Sequence, residues 1–207
     1  VRYDLQRADK LCQEIQNKYP NSYGSKLAKT LSYQLAAKEL AIQTERFIYP
    51  EQEFRSHLNF KNLPEAYVKV YPLPLETELR YLPADEKDST LKVIQAQNPV
   101  QSWLQLLPKL ADLQPHRTEM PVAGLNPGRY IMIVSEQANF TDSLAFTTYT
   151  TFSVSQLVIQ HKTHNKQHVI QVMDRWTGKA LKGVKISPRK YNYKKKVHEE
   201  FGPVRFT

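Results

Sequence analysis

The sequence predicts a mainly β protein in which a helical hairpin precedes an antiparallel β-sandwich and a second, partial β domain. Helical spacing of apolar residues fades after residue 42, and short runs of alternating polarity begin at Gln43. Most of the 13 prolines fall between Pro50 and Pro127, where they separate those runs. We therefore expect three units, residues 1–42, 43–154 and 155–207.

Two apolar stripes at steps of three and four residues predict the helical hairpin. The first stripe consists of Leu5, Ala8, Cys12, Ile15 and Tyr19. Residues 20–24 then interrupt the pattern, and Ser25 is the predicted N-cap of a second helix. Its stripe of Leu27, Leu31 and Leu35 continues to Ile42. Two short helices cannot bury both faces alone, so the hairpin docks on the next domain or closes a helical repeat array upstream.

Strands with a period of two predict the sandwich. Val68 and Val70 alternate with Tyr67, Lys69 and Tyr71, so the two valines point inward. After Gly128 both faces of one strand are apolar, which predicts a central strand covered on both sides. Its faces are Tyr130, Met132 and Val134, and Ile131 and Ile133. The run from 143 to 155 has one face of Leu144, Phe146, Phe152 and Val154, and another of Ala145, Thr147, Tyr149 and Thr151.

The intervening segments are less regular. Residues 78–98 predict a solvated turn and one or two helical turns, and residues 114–120 predict a strand. Another buried element is indicated by Trp103, Leu104, Leu106 and Leu107.

The second β unit begins with strands at residues 157–160 and 168–174, joined by a polar hairpin. Thr177 and Gly178 permit a tight turn with positive φ, and Gly183 permits a second bend. Val184 and Ile186 then return to a sheet. Three or four strands are fewer than the roughly seven of a complete sandwich. This unit is therefore expected to be incomplete.

The net charge of +9 has a local origin. Nine Lys or Arg and no acidic residue lie between Arg175 and His198, and the other 20 basic residues balance the 20 acidic ones. We therefore do not expect general attraction to nucleic acid. The aromatic and cationic stretch 189–196 allows phosphate and base contacts. We favour the alternative, an edge strand and loop kept soluble by lysine.

Nothing in the sequence predicts catalysis or a cofactor. Serine-hydrolase, phosphate-loop and zinc-helix motifs are absent, and the single cysteine, Cys12, excludes an internal disulfide and reads as helix packing. The cluster of His161, His164 and His168 suggests a metal site or a solvated hairpin tip, and we favour the tip. The sequence has no run of about 18 consecutive apolar residues, so we do not expect a transmembrane segment.

Several stretches resemble the bacterial α2-macroglobulin family. One is the apolar run LNPGRYIMIVS at residues 125–135. Another is the ordered series FSVS at 152–155, LVI at 157–159, VMDR at 172–175 and TGKALKGV at 177–184. Residues 58–71 resemble the first strands of a macroglobulin-like domain, and residues 19–24 (YPNSYG) resemble the helical lead-in of some members.

The resemblance implies macroglobulin-like domains of immunoglobulin-like architecture, in a protein whose full-length form traps or inhibits proteases. The implied partners are those proteases and neighbouring β-sandwich domains. The implied location is periplasmic or extracellular, with an upstream lipidated segment as candidate membrane anchor. The family's thioester needs Cys-x-Glu-Gln, whereas Gln13-Glu14-Ile15 follows Cys12, so that chemistry is absent.

Two further expectations concern the extent of the chain and an alternative function. A start at Val1 and an end at Thr207 inside strand-like sequence suggest a fragment, with any targeting signal upstream. The alternative function is a surface adhesin or carbohydrate-binding sandwich, with Trp103 and Trp176 as sugar platforms.

Overall fold

The computed structural model describes residues 4–75, 77, 79, 82–140, 146–164, 167–195, 197–200, 202–203 and 205–207. Its helices are α1 (Leu5–Lys18), α2 (Tyr23–Ala36) and α3 (Ala84–Gln95). Its strands are β1 (Glu39–Gln43), β2 (Phe47–Ile48), β3 (Phe54–Lys61), β4 (Glu65–Pro72), β5 (Gln101–Leu106), β6 (His116–Val122), β7 (Gly128–Ser135), β8 (Thr147–Val154), β9 (Leu157–His164), β10 (Gln167–Asp174), β11 (Lys185–Ile186), β12 (Arg189–Asn192), β13 (Val197–Glu200) and β14 (Arg205–Phe206). No helix within these residues is both long and apolar enough to cross a membrane.

The helical hairpin forms as expected, but the N-cap of its second helix, α2, is Ser22 and not Ser25. Ser22 Oγ accepts a hydrogen bond from Ser25 N at 3.0 Å, so the predicted cap Ser25 lies inside the first turn and is buried. Cys12 of α1 and Ala28 of α2 are buried, and Gln16 Nε2 of α1 donates to Ser32 Oγ of α2 at 3.4 Å. The two predicted apolar stripes are only partly buried. Four of their side chains are exposed: Ile15, Tyr19, Leu27 and Leu31.

Helix α2 ends six residues earlier than predicted, at Ala36, and β1 occupies the predicted last turns. The turn after β3 supplies the cap: Asn62 Nδ2 donates to Leu35 O and Ala37 O at 2.8 and 2.9 Å. Lys61 Nζ, nearly buried, donates to Gln34 O at 3.0 Å. The Lys61 ammonium and the Asn62 amide satisfy carbonyl groups at the end of α2. The positive charge also interacts favourably with the negative end of the helix dipole. These bonds dock the hairpin on the sandwich.

The sandwich consists of a three-stranded sheet, β1-β3-β6, facing a five-stranded sheet, β2-β8-β7-β4-β5. All pairings are antiparallel except that of β2 with β8, which is parallel. The inner faces of both sheets close on one core. Its fully buried members include Leu58, Val68, Val70, Met120, Met132 and Val134. The inward orientation predicted for the two valines of β4 is confirmed.

The central strand β7 is covered on both faces, as the sequence predicted. Met132 faces the inter-sheet core, whereas Ile131 and Ile133 pack with Ile94 of α3 in a second core. Helix α3 is 12 residues long, so the predicted one or two turns were too few. Neither α3 nor the outer face of β7 can bury its apolar residues alone, and packing against each other buries both. This tertiary packing explains why the helix is longer than its local sequence indicated.

Two other strand predictions were corrected in part. Phe152 and Val154 are buried in β8, but Phe146 precedes the strand and is exposed, and Leu144 and Ala145 lie outside the described residues. Strand β6 begins at His116, two residues later than predicted.

Strand β5 lies at a sheet edge. Leu107 is buried and Trp103 packs against the inter-sheet core, but Leu104 and Leu106 are 45% and 69% exposed. The prediction that all four form a buried element was wrong for these two leucines. An edge strand has one face against the core, and its alternate residues remain in solvent.

The second unit consists of three two-stranded ribbons, β9-β10, β11-β14 and β12-β13, so it holds more strands than predicted. Its first hairpin is confirmed with longer strands than expected. Gly178 has the predicted positive φ, at 69°, and Gly183, where a second bend was predicted, has a φ of 74°. Among the described residues of this unit, Val172 is the large apolar side chain that is buried.

Candidate interdomain surface

The sandwich passes to the second unit through a two-residue connection after β8. Ser153 N donates to Arg46 O and Ser155 N donates to Ile48 O, both at 2.9 Å, so the parallel β2-β8 ladder extends to the end of β8. Leu157 N donates to Ser155 Oγ at 3.0 Å. The direction in which β9 leaves the sandwich is therefore set by hydrogen bonds.

An aspartate-capped turn follows β10. The Asp174 carboxylate accepts from Trp176 N at 3.1 Å, Thr177 N at 2.7 Å and Thr177 Oγ1 at 2.8 Å. These bonds, led by that from the Thr177 backbone, hold the pKa of Asp174 below its ordinary value. Gly178, in the left-handed region, lets the chain close the turn.

This turn presents Arg175 and Trp176 to the first sandwich. Arg175 Nη1 donates to Phe47 O at 3.1 Å, and its guanidinium lies 4.4 Å from the centroid of the Tyr49 ring. Trp176 meets the same ring edge-on, with centroids 5.8 Å apart. The backbone N of Arg175 donates to Gln156 O at 2.7 Å. This last bond lies within the second unit. A cation-π contact, an edge-on aromatic contact and one hydrogen bond of the Arg175 side chain therefore connect the two units.

The β9-β10 ribbon carries an apolar face beyond this contact. The register places Ile159 opposite Val172 and His161 opposite Ile170, so these residues and Leu157 share one face. Leu157, Ile159 and Ile170 are exposed, Ile159 to 61%. We call this surface the ribbon face. Val172, on the same face, is already buried, so the ribbon face is exposed at Leu157, Ile159 and Ile170 and covered at Val172.

The basic stretch 189–196 lies mainly in β12 and the following turn, with residue 196 outside the described residues. Its partner strand supplies carboxylates: Glu200 pairs with Arg189, and Glu199 pairs with Lys190. Lys195 Nζ lies 2.8 Å from Glu199 Oε1. The positive charge is therefore partly balanced within the ribbon.

The histidine cluster, for which we favour a solvated hairpin tip over a metal site, lies only partly within the described residues. His161 lies in β9 and is exposed, whereas the side chains of His164 and His168 are outside the described residues. Within the described part of the chain no three His, Cys, Asp or Glu side chains gather at metal-binding distances. Cys12 is buried in the helical hairpin. Neither His161 nor Cys12 lies among the residues of the interdomain contact described above.

Sequence reasoning missed Phe47 and Tyr49 as interdomain residues. The turn at 174–178 had a local signal, an Asx residue three positions before Thr177-Gly178. Its docking partners lie 128 residues earlier in the chain at Phe47, and no local pattern connects such positions.

No protein-family model matches the chain. A comparison with curated proteins likewise gave no match. Among solved structures, a crystal structure of native alpha-2-macroglobulin from Escherichia coli, spanning domains MG0-NIE-MG1, is 16% identical with a TM-score of 0.50. That match covers 79% of this chain and 54% of the other. The chain has a bacterial macroglobulin-like fold.

Two further solved structures are similar to parts of this macroglobulin-like chain. A second structure of the Escherichia coli protein, spanning NIE-MG1, is 12% identical over 80% of this chain and 83% of the other, with a TM-score of 0.48. The CARDB domain of the PF1109 protein from Pyrococcus furiosus is 12% identical over 57% of this chain and 92% of the other, with a TM-score of 0.32. The chain spans about half of the first Escherichia coli structure.

Proposed function

We propose that this chain is a non-catalytic scaffold segment of a larger secreted bacterial macroglobulin-like protein, which in full-length form traps or inhibits proteases. The observation that carries the proposal is the ribbon face held beside a fixed junction. Arg175, Tyr49 and the β2-β8 ladder set the orientation of the second unit. On its apolar side Leu157, Ile159 and Ile170 are exposed, whereas Val172 is buried. The macroglobulin-like fold supports this reading.

The ribbon face favours a neighbouring sheet as its partner. Fully burying a Leu or Ile side chain is worth roughly 1.5–3 kcal/mol. Leu157, Ile159 and Ile170 are exposed together, and contiguous exposed apolar groups mark interaction surfaces. A β-sandwich covers such a face with the inner face of a second sheet at about 10 Å. We therefore infer that strands of a neighbouring β-sandwich unit complete this core.

We retain the three predicted units, with one boundary moved. Residues up to Ala37 form the helical unit because β1 pairs with β3 and belongs to the sandwich. The sandwich continues to residue 154, and the second unit occupies 155–207. The helical unit is the lead-in, the sandwich is the first complete domain, and the second unit forms the attachment. The proposed location is periplasmic or extracellular.

Substrate size tests protease trapping. The full-length protein is incubated with porcine elastase, and residual activity is measured on a large protein substrate and on a small chromogenic peptide. A trap suppresses cleavage of the large substrate and leaves cleavage of the peptide nearly unchanged. Equal loss of both activities, or loss of neither, rejects trapping while leaving the scaffold assignment to the next experiment.

Thiol labelling tests the scaffold assignment. In a Cys12→Ala background, Ile159→Cys is labelled with a maleimide in the 207-residue chain and in the full-length protein. We expect labelling to slow at least tenfold in the longer protein because a neighbouring sheet covers the ribbon face. Lys179→Cys, on the exposed turn, is the matched control and keeps its rate. An Ile159→Cys rate that is equally fast in both proteins rejects a covered face.

A carbohydrate-binding or adhesin module is the second candidate, supported by Trp176. Its side chain is 75% exposed, whereas Trp103 packs against the inter-sheet core and offers no platform. Exposed indoles suit sugar rings because they present a flat apolar face beside polar groups. Glycan-array binding that disappears in Trp176→Ala and persists in Trp103→Phe favours this candidate. Absence of glycan binding by the wild-type chain excludes it.

A further inference from the structure

The free edge of the five-stranded sheet lacks the features that usually protect an edge. Among the described strands β5 pairs with β4 alone. Residues 100–107 contain no charge and no proline, and they are bounded by Pro99 and Pro108. Val100, Leu104 and Leu106 are exposed along it. Natural edge strands usually carry lysine, proline or a bulge, so an edge of this composition indicates a pairing surface.

The hydrogen-bond pattern shows which backbone groups face outward. Leu107 N donates to Pro64 O at 2.9 Å, in register with the β4-β5 pairing of Glu65 with Leu106. Since antiparallel ladders alternate, the odd-numbered residues of β5 bond to β4. The N–H and C=O groups of Ser102, Leu104 and Leu106 therefore point to the free edge.

We propose that this edge pairs with β5 of a second copy of the chain, antiparallel and centred on Trp103. That register pairs Ser102 with Leu104 of the other copy, and Val100 with Leu106. Ser102, Leu104 and Leu106 have backbone groups that point outward. Val100 N donates to Val70 O of β4 at 2.8 Å, so the two pairs of Ser102 with Leu104 form the centre of the new ladder. The exposed apolar side chains then meet across the two-fold axis, and the two five-stranded sheets form one continuous sheet. This inference is independent of the proposed function.

The charge distribution favours a second copy at this edge. No charged side chain lies within residues 100–107, so a self-pair brings no like charges opposite each other. The basic second unit attaches beside β2, at the other edge of the same sheet. Four strand spacings, or about 19 Å, separate the edges. That distance exceeds the Debye length of about 8 Å at physiological salt, so the positive charge of the second unit is largely screened at the β5 edge.

Sedimentation of the 207-residue chain at 0.15 M salt tests the proposal. We expect a concentration-dependent species of twice the 24.1 kDa chain mass. Leu104→Lys places two charges at the symmetric edge and should shift the midpoint of dimerisation at least tenfold to higher concentration. Leu27→Lys, at a similarly exposed site on α2, is the control and should leave it unchanged. Circular dichroism verifies that both variants fold.

Cross-linking tests the register. Gln101 and Gln105 face each other across the proposed axis in pairs that share no hydrogen bonds, where Cβ atoms come closest. In a Cys12→Ala background, a mixture of Gln101→Cys and Gln105→Cys chains should form a disulfide dimer, and neither variant alone should. A chain that stays monomeric at millimolar concentration overturns the proposal. So does a dimer that is insensitive to Leu104→Lys, or cross-linking of either single variant alone.

Discussion

Replacing Asn62 by alanine should detach the helical hairpin from the sandwich. Asn62 has a φ of 55°, in the left-handed region, and its amide bonds two carbonyls at the end of α2. Each hydrogen bond contributes about 0.5–1.5 kcal/mol net. An alanine in the left-handed region costs roughly 1–2 kcal/mol, and asparagine tolerates that region better. We therefore expect Asn62→Ala to lower the free energy of unfolding by about 2–4 kcal/mol.

A second substitution separates the two contributions. Asn62→Gly removes the amide but accepts a positive φ, so its loss should be about 1 kcal/mol smaller than that of the alanine variant. The assay is urea unfolding by circular dichroism, combined with hydrogen exchange of α2 amides. Those amides should exchange faster in both variants. Asn98→Ala, at an exposed loop position, is the control.

The cap is refuted by either of two results. One is an Asn62→Ala loss within about 0.5 kcal/mol of the control, which is the range of ordinary surface substitutions. The other is unchanged exchange in α2 despite global destabilisation, because that result would place the effect in the sandwich alone.

Three further predictions concern the sandwich and the junction. Ile131→Ala and Met132→Ala should each cost about 2–5 kcal/mol in urea unfolding, because each fills a different core; a cost below 1 kcal/mol for either contradicts two-sided burial. Gly124→Ala should destabilise the fold, because the added Cβ would lie 2.4 Å from the Glu51 backbone carbon. Thermal unfolding measures the loss, and an unchanged Tm argues against this close approach. The lowered pKa of Asp174 makes its stabilising contribution complete above the ordinary value of 3.8, and this contribution is lost as pH falls through the folded-state pKa. Intrinsic tryptophan fluorescence should therefore change in acid for the wild type and much less for Asp174→Asn; identical acid profiles contradict the role of the turn.

The sequence predicted the elements whose structure depends on neighbouring residues in the chain, such as β7 and the turn at Gly178. The two-sided apolar run of β7 predicted a central strand because a side chain on either face meets a core whatever the partner strands are. The positive φ of Gly178 followed from a short turn. The end of α2 could not be predicted, because its carbonyls are bonded by Asn62, at least 25 residues later. Exposure of Leu104 and Leu106 depends on strand order, which periodicity does not encode.

The interdomain surface was predicted only in its local half. Residues 174–184 carry turn signals that a sequence displays directly. The docking of Arg175 on Tyr49 depends on how the parallel pairing of β2 with β8 positions the start of the sandwich beside its end. That arrangement is a property of topology.

The same parallel pairing determines how the sandwich carries mechanical load. Tension applied through the hairpin at one end and the second unit at the other acts along β2 and β8 in opposite directions. The bonds from Ser153 N to Arg46 O and from Ser155 N to Ile48 O are then strained together in shear. A force that pulls the ends apart must break these bonds at once, so the sandwich resists stretching along this axis more than a hairpin that unzips bond by bond.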